Sequence, residues 1–180
     1  LWYHVNTQLL SWANGWKKTP SSKLHGNVAA LIVEADFLTK QANTLERFKT
    51  VLNIQQRILD IDPLNFETLW KLSRNTRFHG QIYASSVQTR RASYLQSIQL
   101  AERALCTNQA FKNLIDRNTS PWNATDALCV EDLPALHYYF LGVFSMFLTD
   151  MNKTGKLINA HWINRSKAFV NRMIELDDTW

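Results

Sequence analysis

Apolar residues recur at steps of three and four along almost the whole chain. Leu24, Val28, Leu31, Ile32, Ala35 and Leu38 form one such set, and Leu45, Phe48, Val51, Leu52, Gln55, Ile58 and Leu59 a second. The spacing returns in Phe66, Leu69, Trp70 and Leu72, in Tyr94, Ile98, Ala101 and Leu105, and in Ile158, Trp162, Phe169, Val170 and Met173. Residues so spaced share one face of an α-helix, which must then be buried against a neighbour. Period-two alternation, the mark of a half-buried strand, is hard to find over five or more residues. Only 5 glycines and 4 prolines occur in 180 residues, too few for the turns of a sandwich or barrel. The sequence therefore predicts an all-α fold. A hydrophobic fraction of 46% against 19% charged residues excludes a disordered chain. The length suits a single domain over residues 1–180.

Breaks divide the helical pattern. Pro20-Ser-Ser22 closes a short helix within residues 1–20 and supplies a cap for the next. Pro63 stops the helix before it. Thr119-Ser-Pro-Trp-Asn123 reads as a surface loop. Asp132-Leu-Pro134 starts a helix with Asp as cap and Pro in the first turn. Asn152-Lys-Thr-Gly155 links the last two helices. The pattern predicts about seven helices in antiparallel pairs. Leu133 to Leu148 is the most apolar run, but its 16 residues, interrupted by His137 and Ser145, fall short of the roughly 20 that cross a bilayer. It reads as a buried core helix.

Helix ends repeat. Arg57-Ile-Leu-Asp-Ile-Asp62, Arg103-Ala-Leu-Cys-Thr-Asn108 and Arg172-Met-Ile-Glu-Leu-Asp177 share a form, at unequal intervals. Ala35-x2-Leu38, Leu69-x2-Leu72-Ser73 and Tyr138-x2-Leu141-Gly142 match the first-helix core of a tetratricopeptide repeat. Small Ser73 and Gly142 let a second helix approach. Stacked antiparallel hairpins, a degenerate tetratricopeptide-like superhelix, follow, with units at 24–62, 64–108 and 132–177 and a connecting segment at 109–131.

Cys106 and Cys129 form neither a CxxC pair nor a metal motif. A disulfide between them would stabilise by roughly 3 kcal/mol; two buried free thiols are the alternative. Leu rather than Met at residue 1 points to a processed, exported chain; four N-x-[ST] sequons, at Asn118, Asn123, Asn152 and Asn164, are a weak sign of a eukaryotic secreted protein, since an Asn-, Ser- and Thr-rich chain produces some by chance.

Ile61-Asp-Pro-Leu-Asn65 with Glu67-Thr-Leu-Trp-Lys-Leu-Ser-Arg74, then Glu131-Asp-Leu-Pro-Ala-Leu-His-Tyr-Tyr139, then Arg172-Met-Ile-Glu-Leu-Asp177, resemble stretches of the TatT family, the T-components associated with TRAP transporters. The resemblance covers about residues 24–180. It implies a periplasmic protein, often a lipoprotein tethered through a lipidated cysteine ahead of residue 1, built of stacked tetratricopeptide-like helices. It also implies association with a periplasmic substrate-binding protein, and a homotrimer with a pore through each subunit. His137 and Tyr138 stand where the family commonly has Tyr and Trp.

Charge supplies a candidate site. No acidic residue occurs between Glu67 and Glu102, a stretch holding Lys71, Arg74, Arg77, Arg90, Arg91 and His79. Trp70, Arg74 and Arg77 share one helix face by spacing. Arginine forks match carboxylates or phosphates, and a neighbouring Trp can stack on an organic ligand. His137, Tyr138, Tyr139, Phe140, Phe144 and Phe147 crowd one later helix, with Trp162 and Phe169 on its partner. The Phe residues read as core, whereas Tyr138 and Trp162, with polar handles, are better placed to line a cavity. The candidate ligand- or partner-binding set is thus Trp70, Arg74, Arg77, His137, Tyr138 and Trp162, for a small organic anion or an acidic partner surface.

Other classes fare poorly. No GxGxxG, GxxxxGK[ST], HExxH or GxSxG motif occurs, so no catalytic residue, metal site or cofactor is assigned. The net charge of +5 is modest and the last third of the chain is net acidic, which argues against nucleic acid. The sequence is best read as a non-enzymatic binding protein of a solute-uptake system, with a general adaptor holding a peptide in its concave groove as the alternative.

Overall fold

The computed structural model describes residues 15–16 and 21–179. The short helix expected within residues 1–20 lies outside the described residues, apart from Gly15 and Trp16. The fold is all-α, and no strand occurs among the described residues. Eight α-helices follow in order: α1 (Val28–Thr39), α2 (Leu45–Ile61), α3 (Phe66–Tyr83), α4 (Val87–Leu105), α5 (Gln109–Asp116), α6 (Leu133–Ser145), α7 (Lys153–Ile158) and α8 (Ala160–Leu176). Three 3-10 turns, Pro121–Asn123, Thr125–Ala127 and Val130–Asp132, join α5 to α6, and a π turn, Met146–Asp150, extends α6. No helix is long and apolar enough to cross a membrane among the described residues.

Local chemistry sets the helix starts. Asn27, Thr44, Asn65, Ser86, Asn108 and Asn152 each stand just before a helix and accept a backbone N–H from its first turn. Two expected starts are corrected. The cap of α1 is Asn27, whereas the Ser22 hydroxyl donates to the Ile61 carbonyl at 2.8 Å. Asp132 precedes α6, but its carboxylate turns back to accept the Cys129 N–H at 2.9 Å and the Asn108 amide at 2.7 Å. The expected link at Asn152–Gly155 is the first turn of α7, so α7, like α5, is a helix that the apolar spacing did not predict.

Packing runs α1 on α2, α2 on α3, α3 on α4, α4 on α6 and α6 on α8, with α3 also touching α6. Small residues make the closest approaches. Ser73 Oγ donates to the Ser97 carbonyl at 2.8 Å, and a Cβ on Gly80 would lie 2.6 Å from Ser93 Cβ. Gly142 performs this service against α4, where its Cβ would meet Ile98 Cγ1 at 2.8 Å, rather than against its own partner α8.

The repeated arginines fasten the second and third hairpins. Arg103 of α4 donates to the Pro63 carbonyl at 3.0 Å, in the segment leading into α3. Arg172 of α8 donates to the Leu128 carbonyl through Nε at 3.1 Å and Nη2 at 2.7 Å, in the segment leading into α6. In the first hairpin the backbone takes over: Lys23 and Leu24 N–H groups donate to the Asp60 carbonyl at 2.7 and 3.0 Å.

One core joins α2 through α6 and α8. Leu59, Leu69, Leu72, Ile98, Leu105, Phe111, Leu136, Tyr139 and Phe169 belong to it, and so does Trp16. Trp16 packs against Phe111, Tyr139 and Phe169 with ring centroids 5.5, 5.7 and 6.4 Å away. The Gly15 N–H beside it donates to the fully buried Glu102 carboxylate at 2.9 Å.

Candidate functional site

Contact between α3 and α6 brings five of the six sequence-predicted residues together. Trp70 of α3 and Tyr138 of α6 lie parallel, 1° apart, with ring centroids at 5.9 Å. Such offset stacking is the favoured arrangement of two π systems. The Arg74 guanidinium sits 5.7 Å from the Trp70 ring centre. One turn of α3 further on, Arg77 reaches Ser145 of α6 at 3.4 Å and Gln81 at 3.1 Å. His137 meets Tyr138 edge-on at 5.1 Å. All five side chains are half-buried.

A supporting layer fixes Arg74. Its Nε donates to Asn75 Oδ1 at 3.1 Å, and the Asn75 amide donates to Gln55 Oε1 at 3.0 Å. Asn75 and Gln55 are both buried, so the relay positions the guanidinium from inside the fold. Sequence reasoning missed both partners. Gln55 carried a signal, as an amide at a position where an apolar stripe demands a hydrocarbon.

The electrostatics favour an anion. Among the described residues neither Arg74 nor Arg77 pairs with a carboxylate. Burial lowers the pKa of Arg77 from its ordinary value, against the opposing pull of Tyr94 and Tyr138, and its Nε is buried without a hydrogen-bond partner. Burial, then the nearby Arg77 charge, lowers the pKa of His137. Lys71, by contrast, is not part of the open set: its ammonium contacts Asp36 at 2.8 Å and Glu67 at 2.6 Å. Of the Lys and Arg residues on α3, Arg74 and Arg77 thus remain, beside two stacked rings.

Trp162 is placed elsewhere. It meets Trp122 edge-on at 6.0 Å, and the Arg165 guanidinium lies 4.0 Å from the Trp122 ring and 4.9 Å from the Trp162 ring. Trp162 is buried there. The residues that do line a cavity are those read as core: Phe140, Phe144 and Phe147, with Leu148, Ile163 and Val170, enclose about 290 Å3 between α6 and α8.

Both cysteines are free, Cys106 half-buried and Cys129 exposed, so of the two readings left open the structure has the free thiols, only one of them covered. The Cys129 thiol donates to the Asp132 carboxylate at 3.2 Å, which also accepts from Asn108, so polar contacts hold this loop. Burial pushes the Cys106 thiol up to about 12, which keeps it protonated and inert. Among the described residues no group of three or more His, Cys, Asp or Glu side chains is arranged to hold a metal ion. Comparison with protein-family models, with curated proteins and with solved structures finds no match to this chain.

Proposed function

We propose that the chain is a non-enzymatic binding protein of tetratricopeptide-like hairpins whose α3–α6 face takes an organic anion, in the periplasmic, TRAP-type solute uptake that the sequence resemblance implies. The observation that carries this reading is the pair Arg74 and Arg77, without carboxylate partners among the described residues, beside the parallel Trp70 and Tyr138 rings. Half-buried guanidinium groups gain most from a carboxylate, because weak local screening strengthens the ion pair. A ring or planar group on the ligand would extend the stack, which gives the face a preference for aryl over alkyl carboxylates. An exposed carboxylate on a substrate-binding protein has the same chemistry and offers a docking point for that partner.

Calorimetric titration tests this with phenylacetate, acetate and phenylacetamide as probes. Phenylacetate should bind best, and the neutral amide should lose the arginine contribution. Reversing both charges (Arg74→Glu with Arg77→Glu) should abolish binding together with its salt dependence. Unchanged phenylacetate binding in that variant would overturn the assignment. A preference for acidic peptides over every small carboxylate would favour a peptide-holding adaptor instead.

A further inference from the structure

We infer that the groove between α6 and α8 is a binding site for a medium-chain fatty carboxylate, with its alkyl chain along the cavity and its carboxylate on Lys167 and Asn171 at the edge. The site is separate from the α3–α6 face. Phe140, Phe144 and Phe147 lie roughly opposite Tyr138 around α6 by helical spacing, so the two assignments stand or fall independently.

Two stripes line the groove. Phe140, Phe144, Phe147 and Leu148 share one side of α6 and the π turn that extends it, and Ile163, Lys167, Val170 and Asn171 share one side of α8. Phe147 is 9% exposed and closes the depth of the groove, whereas Phe144 and Ile163 are 47% and 41% exposed and flank its mouth. The cavity is thus covered inside yet open to solvent. The Phe140 and Phe144 rings are nearly parallel, 28° apart with centroids at 5.6 Å, and make a flat hydrocarbon wall. Such a lining selects an apolar ligand body, with orientation left to the few polar groups at the rim. From Phe140 to Leu148 the wall runs eight residues, roughly 12 Å at the helical rise. The cavity of about 290 Å3 holds roughly ten groups the size of a water or methylene. An unbranched chain of eight to ten carbons satisfies both dimensions, and a two-chain lipid does not fit.

Charge names the head group. Lys167 and Asn171 are one turn apart on α8, both exposed and both on the groove. Lys167 makes no ion pair with a described residue. From Met151 to Ile174 the sequence has no acidic residue, while it holds Lys153, Lys156, Arg165, Lys167 and Arg172. The field at this edge is therefore positive and favours an anion. A carboxylate is ionised at neutral pH and accepts a charge-assisted hydrogen bond from an ammonium group. The Asn171 amide offers a second donor to the same head. The Lys167 stem can lie along the apolar wall while its ammonium stays in water, so the head binds without being buried.

Calorimetric titration of the full chain with hexanoate, octanoate, decanoate and dodecanoate reads affinity against chain length. Each added pair of methylenes up to decanoate should tighten binding roughly tenfold. Dodecanoate should gain little more, because the cavity is then full. Ile163→Trp fills the groove from its exposed mouth and should abolish octanoate binding. Lys167→Glu should weaken octanoate roughly fivefold and leave octan-1-ol, which has the same chain without the charge, unaffected; Lys167→Arg should keep octanoate affinity. Both Lys167 changes alter only an exposed side chain, so they decide the question even if the Ile163 variant misfolds. The variant Arg74→Glu with Arg77→Glu should bind octanoate as the wild type does. Absence of octanoate and decanoate binding overturns the inference, and so does affinity that climbs undiminished to dodecanoate. Equal losses of octanoate and octan-1-ol in Lys167→Glu, or no loss of octanoate, overturn the assignment of the head group. Octanoate binding lost in the double arginine variant would move the ligand to the α3–α6 face. Binding to phosphatidylglycerol vesicles through Lys167, without binding of any single-chain carboxylate, overturns the inference in favour of a membrane-surface contact.

Discussion

Asn75 and Gln55 are each 2% exposed and bond to one another between α2 and α3. A buried amide that loses its partner keeps its full desolvation cost, whereas two amides removed together leave nothing unsatisfied. Asn75→Leu should therefore destabilise the fold by about 1–3 kcal/mol, and Gln55→Leu added to it should recover much of that loss. Urea unfolding of the wild type, both single variants and the double variant measures the coupling. The same substitution frees the Arg74 Nε from its only hydrogen-bond acceptor among the described residues, so phenylacetate affinity should fall in Asn75→Leu and stay low in the double variant. Stability and binding then part company: the stability defect is repaired by the second change and the binding defect is not. That outcome would identify Asn75 as a positioning residue for the guanidinium rather than a packing residue.

Elements are where the sequence was most legible and where its limits begin. The recurrent Arg-x-x-x-x-Asp/Asn helix ends are visible as strings, but what the arginine does needs a long-range partner. Arg103 and Arg172 each donate to the segment leading into the first helix of their own hairpin. In the first hairpin Asp60 uses its backbone carbonyl for the same task, and no arginine is needed. Gly142 was legible as a close-approach site, but its neighbour is α4, which packs on α6. The expected link at Asn152–Gly155 proved to be helical, since the Asn152 side chain accepts the Gly155 N–H at 2.7 Å and caps the turn that glycine suggested was a break. Arg172→Met keeps the length and removes the donors. It should cost about 1.5–3 kcal/mol, the range for hydrogen bonds to charged groups. Hydrogen exchange should speed up at the Ala127, Leu128 and Asp132 amides, whose 3-10 bonds depend on that clamp, while α2 and α3 keep their protection. Uniform loss of protection throughout the chain would mean that Arg172 contributes only to the general core.

At the scale of the whole molecule, the helical class could be read from periodicity, but the site required topology. Spacing alone put Trp70, Arg74 and Arg77 on one face. Tyr138 and His137 join them because α6 packs on α3 across a gap of more than fifty residues in sequence, which no local pattern encodes. Trp162 stands apart from them for the same reason: its partner Trp122 arrives from the connecting segment. Trp16 escaped notice entirely, since it belongs to no apolar stripe, yet it is 3% exposed and touches α5, α6 and α8 at once. It belongs to a core that runs from Leu59 at the end of α2 to Met173 in α8, with no residue of α1 included. Hairpin arrays can unfold unit by unit when neighbours are loosely coupled, but a shared core ties the units together. Trp16→Ala leaves a large void where three aromatic rings meet and should cost about 3–5 kcal/mol. The loss should shift the midpoint of one cooperative transition, with far-UV circular dichroism and tryptophan fluorescence moving together. Amide exchange in α1, outside that core, should run ahead of global unfolding in dilute solution. Two separated transitions in Trp16→Ala would mean instead that this single ring couples the last hairpin to the rest.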